Sequence, residues 1–141
     1  MNFNHLKGYE SVTLPTETIN GKRYYVTPNG NKYPSVTTVT GLHSAKWVAK
    51  WRKNVGAEVA DKISAQAAGR GTRYHNLQED FINNLDITDK LSNATPLDQM
   101  MFNQTRELTE KIGDIYMLEG SLYSDDLAIA GRVDSIAEFA G

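Results

Sequence analysis

The sequence contains no cysteine. Disulfides, thiolate nucleophiles and cysteine-ligated zinc are therefore excluded. Long hydrophobic runs are missing as well. Met1-Asn2-Phe3-Asn4-His5-Leu6-Lys7 holds no apolar segment of signal-peptide length. No window approaches 18 consecutive apolar residues, so neither a membrane span nor a membrane partner is expected. An excess of charge of one sign is also lacking. The formal net charge of -2 exerts no global pull on polyanions, which leaves any such attraction to local basic patches. Repeats and low-complexity tracts are absent. What remains is an ordinary globular composition, 40% hydrophobic and 9% aromatic over 141 residues. That length suits one compact domain able to bury a core without disulfides.

Residues 1–20 are polar and mixed, with Pro15, and read as an arm or a loose first strand. Gly21 to Thr27 is rich in β-formers. Pro28-Asn29-Gly30-Asn31 is a turn, because Asn and Gly tolerate positive φ, and Lys32-Tyr33 resumes the strand, giving a β-hairpin over residues 22–33. Tyr24, Tyr25 and Tyr33 interleave with Lys22, Arg23 and Lys32. Such a cluster suits a single nucleic-acid strand, whose bases stack on rings while cations meet phosphates; a plain exposed hairpin is the alternative. In Pro34-Ser35-Val36-Thr37-Thr38-Val39-Thr40-Gly41, Ser35 is placed to cap a short helix, although the β-branched run suits a strand equally. Its hydroxyls either bind phosphate oxygens or satisfy local backbone.

A helical pattern runs from Ser44, the expected N-cap, to about Ala67. Trp47, Val48, Trp51 and Val55 mark a buried stripe; Lys46, Lys50, Arg52 and Lys53 occupy the other faces, and Gly56 is a candidate break. Ala67-Ala68-Gly69-Arg70-Gly71-Thr72 reads as a small-residue corner where another backbone can approach closely. Thr72 then caps a helix from Arg73 to about Asn83, with Tyr74, Leu77, Phe81 and Ile82 on its apolar stripe. His75 and Glu79 share one face. His75 is either a surface histidine or, with a carboxylate one turn on, a metal or phosphate contact; no second histidine completes a zinc HExxH motif. Residues 84–94 read as a loop. Thr95 caps the next helix with Pro96 at its first position. Leu97, Met101, Gln104, Leu108 and Ile112 define its buried stripe, widened by Met100, and Gly113 stops it. A final hairpin, 115–123 and 127–133 with a continuation to Phe139, turns at Ser124-Asp125-Asp126. In it, Gly131-Arg132-Val133-Asp134 carries a carboxylate where a metal could bind. The expected class is α/β in the mixed α+β sense: an arm and hairpin over 1–33, then one body over 34–141. In that body helices precede a hairpin belonging to a central mixed sheet.

The order of these motifs carries a resemblance. Tyr33-Pro34-Ser35-Val36-Thr37-Thr38-Val39 is followed by a helix with Trp51. Then come Arg70-Gly71-Thr72-Arg73-Tyr74-His75-Asn76-Leu77-Gln78-Glu79, a strand with Glu119, and Gly131-Arg132-Val133-Asp134. Over roughly residues 33–141 this resembles the PD-(D/E)XK nucleases of the RecB-like branch, among them phage and mitochondrial genome-maintenance exonucleases. The resemblance implies a restriction-endonuclease-like core and metal-dependent hydrolysis of DNA that is single-stranded or has a free end. It makes His75, Glu79 and Asp134 catalytic, with Asp134 and Glu119 as metal ligands. Tyr33, Ser35, Thr37, Thr38, Trp51, Arg70, Thr72 and Arg73 become contacts to the nucleic acid.

A hard oxygen site suits Mg²⁺ or Mn²⁺. In a regular hairpin Glu119 pairs with Gly131 and faces away from Asp134, so the two carboxylates meet only through an irregularity, expected at Gly131 as a bulge. The family pattern continues with a strand bearing Asp or Glu, one residue, then Lys. Here no lysine follows Asp134. The resemblance thus implies weak metal binding and an amino-terminal piece completed by a complementing carboxy-terminal fragment. The alternatives are an inactive nucleic-acid-binding, regulatory or inhibitory protein, and self-association through an exposed sheet edge. The expected compartment is the cytoplasm, that of a host cell if the protein is phage-encoded.

Overall fold

The computed structural model describes residues 2–9 and 11–139; Ala140 and Gly141, where the resemblance ends, lie outside it. The protein is of mixed α+β class. A three-stranded antiparallel sheet comes first: β1 (Thr16–Ile19), β2 (Lys22–Val26) and β3 (Lys32–Pro34), in the order β1-β2-β3. Four helices follow, α1 (Val36–Val55), α2 (Ala57–Ile82), α3 (Thr88–Ser92) and α4 (Pro96–Thr109). The hairpin β4 (Ile112–Ser124) and β5 (Ile129–Phe139) then forms a two-stranded sheet. Among the described residues no helix is long and apolar enough to cross a membrane. The chain divides into two compact units, one of residues 1–5, 55–115 and 137–141, the other of residues 6–54 and 116–136.

In the second unit the expected hairpin is present, and the amino-terminal arm supplies its third strand. Asn20 and Gly21 both have positive φ, 51° and 74°, as a two-residue hairpin turn of the right twist requires. The register places Thr16 opposite Tyr25 and Tyr25 opposite Tyr33. Leu14, Tyr25 and Ala130 are buried together with Tyr33 packed on them. Ser121 ties the arm to β4, its Oγ accepting from Leu14 N at 3.1 Å and its N donating to Val12 O at 2.8 Å. The final hairpin is expected in a central mixed sheet, but it forms a two-stranded sheet of its own, and among the described residues parallel contact is limited to isolated bridges, Ser35 with Ala130 in this unit and His5 with Ile115 in the other.

The structure resolves the strand-or-helix ambiguity after Pro34 in favour of helix. Ser35 Oγ accepts from Thr38 N at 3.0 Å, so α1 starts at Val36, well before the expected cap at Ser44. The threonines of this run find local partners inside the helix, Thr40 Oγ1 donating to Val36 O at 3.0 Å. The expected burial of the Trp47 stripe does not occur. No residue of α1 is buried, and Trp47 is 67% exposed. Periodicity defines a face but not what covers it.

Gly56, at φ 87°, separates α1 from α2 as expected. The corner at residues 67–72 is absent: α2 runs unbroken through it. Glycine lowers helix stability by about 1 kcal/mol but does not break a helix flanked by good formers, and here no proline forces the issue.

In the first unit α2 and α4 pack together. Leu77 and Phe102 are buried, and Phe81 meets both Phe3 and Phe102 edge-on at 5.3 Å between centroids. Thr95 caps α4, Pro96 opening it. The stripe expected on α4 is one residue out of phase. Asp98 and Phe102 are its buried residues, whereas Leu97 and Leu108 are exposed. The cause is polar. Tyr74 Oη and Gln78 Nε2 on α2 meet Thr105 Oγ1 at 2.6 and 2.9 Å, and Thr109 Oγ1 donates to Gln78 Oε1 at 3.2 Å. Residues 84–94, expected as a loop, contain α3.

Candidate metal centre

The hairpin β4–β5 carries the two acids expected to hold a metal. Glu119 adopts φ 52°, a left-handed conformation that costs a non-glycine residue roughly 1–2 kcal/mol. It interrupts the two-residue alternation of β4. A Cβ at Gly120, the next residue, would displace the Met117 side chain. A carboxylate oxygen of Glu119 and one of Asp134 lie within 4.8 Å of each other. A left-handed Glu119 and a turn of four residues, 125–128, in place of the expected three both depart from the regular hairpin that would turn Glu119 away from Asp134. At Gly131, where the resemblance led to a bulge being expected, φ is not positive, and a Cβ would stand 3.3 Å from Val36 Cγ2.

Glu119 is half-buried and ion-paired with Arg132, and Asp134 is exposed. Ligand–metal distances of about 2.1 Å put two oxygens on one Mg²⁺ at most about 4.2 Å apart, a little inside the 4.8 Å within which these oxygens lie. The donors are hard oxygens, as Mg²⁺ or Mn²⁺ requires. The Arg132 guanidinium already supplies a positive charge to Glu119, so an incoming cation competes with it.

His75 and Glu79 lie on α2, with His75 Nε2 3.8 Å from Glu79 Oε2. That is an ion-pair distance longer than a hydrogen bond, and both side chains are more than a third exposed. Arg70 and Thr72 are exposed on the same helix. Arg73 is committed internally, its Nε donating to Asp98 Oδ2 at 2.7 Å.

Asp98 is a residue the sequence reading passed over. It is 1% exposed, and its Oδ1 has no hydrogen-bond partner among the described residues. The Arg73 hydrogen bond, helped by Thr95, holds its carboxyl below the usual carboxylate range. The pattern Thr95-x-x-Asp98 at a helix start was the available clue, since it has the spacing of a capping box.

The remaining expected contacts lie in the second unit. Tyr33 Oη donates to Asp125 Oδ1 at 2.5 Å, and that bond pushes the phenol above its ordinary value. Ser35 is 2% exposed; besides capping α1, its Oγ lies 3.0 Å from Thr37 Oγ1 and 2.7 Å from Thr38 Oγ1. Trp51 is half-buried on α1. No protein-family model, curated protein or solved structure matches the chain.

Proposed function

We propose that the protein is a metal-dependent DNA phosphodiesterase of the RecB-like exonuclease kind. Asp134 and Glu119 are its metal-anchoring carboxylates. The observation that carries this reading is the left-handed backbone at Glu119, beside a carboxylate pair within 4.8 Å. Strain of that kind persists where the surrounding structure holds it, and such residues cluster at functional sites. Mg²⁺ or Mn²⁺ bound there would polarise the phosphate and acidify a water. The chain's own part is to hold the cation through Asp134 and Glu119.

Metal binding is the primary readout. Mn²⁺ titration followed by electron paramagnetic resonance should show a site in the wild type that weakens by about tenfold or more in Asp134→Ala, in the range seen when groups supporting a metal are removed. Arg132→Gln should instead tighten Mn²⁺, because the competing guanidinium is gone. Cleavage of end-labelled DNA in Mn²⁺ should follow the same order. Equal Mn²⁺ affinity in the wild type and Asp134→Ala would overturn the proposal.

A further inference from the structure

Charge is unevenly distributed along the chain. From Thr18 to Ala57 there is no Asp or Glu, while seven of the fifteen Lys and Arg residues fall there. Four of the seven are on α1. That helix holds no acid to satisfy them, and among the described residues Lys46, Lys50 and Lys53 have no ion pair. Every residue from 39 to 50 is exposed.

At 100° per residue, Lys53, Lys46, Lys50, His43 and Trp47 fall in that order within an arc of about 120°. Lysines one turn apart repel each other, and an indole two-thirds in water gives up the burial that usually stabilises a tryptophan. Nothing inside α1 offsets either cost. A polyanion with flat apolar groups offsets both: its phosphates neutralise the lysines and its bases stack on the ring.

We propose that this face of α1 is a strand-holding site for single-stranded nucleic acid, separate from the metal-binding carboxylates. It rests on the nucleic-acid reading above and names the form of substrate and where it is gripped. Lys46, Lys50 and Lys53 contact successive phosphates, and Trp47 stacks on a base. A duplex, with its bases already stacked, engages the lysines alone and binds more weakly. The contact needs no metal and reads no sequence.

The test is fluorescence anisotropy of a labelled oligothymidylate in EDTA across a salt series, with circular dichroism to confirm that each exposed-residue variant is folded. The wild type should bind. The triple variant Lys46→Gln, Lys50→Gln, Lys53→Gln should reduce the slope of log K against log salt by about 2, each lost phosphate contact on a single strand contributing about 0.7. Trp47→Ala should weaken binding by about tenfold with the slope unchanged, since stacking is lost and charge is not. Lys62→Gln on α2 should change neither.

An unchanged slope in the triple variant overturns the inference. So does retention of the wild type on anionic phospholipid vesicles without oligonucleotide binding. The metal reading fails separately. If Asp134→Ala leaves Mn²⁺ affinity untouched while the α1 variants lose the strand, the strand-holding site stands without a metal centre. If Asp134→Ala loses Mn²⁺ while the α1 variants bind normally, the reverse holds.

Discussion

At the scale of single residues, two acids show how burial and backbone conformation decide a role that composition leaves open. Asp98 is almost fully buried, with one oxygen on Arg73 and the other without a partner among the described residues. A buried carboxylate that keeps its charge is held by its partner. Its folded-state pKa lies below the ordinary 3.8. A depressed carboxylate stabilises the fold above its unfolded pKa, and that contribution disappears as pH falls through the folded one. Asp98→Asn should therefore melt at a lower temperature than the wild type near neutral pH. The gap should close as pH falls below about 4. A gap that stays constant down to acid pH would show that Arg73 gives Asp98 no charge-dependent support. Glu119 is the second case. Its positive φ departs from regular strand geometry beside Asp134, and no propensity scale predicts a left-handed glutamate.

At the scale of elements, the legible parts were those written locally. Both hairpins followed from alternation and turn chemistry, Gly30 meeting the positive φ in the turn of the first, whereas Ala128 carries it in the turn of the second. Thr95-Pro96 gave the start of α4, and Gly56 the break between α1 and α2. Where two local choices were equally good, the sequence did not decide. Ser35 and Ser44 could each cap a helix, and the burial of Ser35 with its hydroxyl network settled the start of α1. The phase of α4 was hidden because its buried face is partly polar: Asp98, Thr105 and Thr109 are counted as surface by any hydrophobic pattern, yet Arg73, Tyr74 and Gln78 on α2 receive them.

The glycines at 69 and 71 suggest a corner, whereas α2 passes straight through them. That difference has a measurable consequence. A Cβ at Gly71 meets nothing within 4 Å, and its φ is not positive. A helix-interior glycine costs roughly 0.5–1 kcal/mol relative to alanine. Gly71→Ala should then raise stability by about that amount in urea unfolding, with an unchanged m-value. A loss of stability would restore the corner.

At the scale of the whole molecule, a net charge of -2 and a sequence pI near 5.9 describe an acidic protein, and taken alone they argue against a polyanion partner. The distribution reverses that argument. All seventeen acids lie outside residues 18–57, and those forty residues carry seven positive charges at neutral pH. Lys32 is paired with Glu17 at 2.7 Å, and both partners are nearly half exposed, so the pair adds little stability and shields little charge. Surface potential is set by local density, because a charge farther away than the Debye length of about 8 Å at physiological salt is largely screened. The fully exposed turns of α1 should therefore present a positive field despite the negative total.

The expected outcome is that the protein at neutral pH, well above its pI, is retained on a cation exchanger at low ionic strength. It should elute at modest salt, while also binding an anion exchanger through its acidic remainder. The triple lysine variant of α1 should lose the first retention and keep the second. A wild type that passes unretained through the cation exchanger at low salt would mean that the acids elsewhere in the chain screen the lysines of α1, and that the sequence-level segregation of charge does not survive folding.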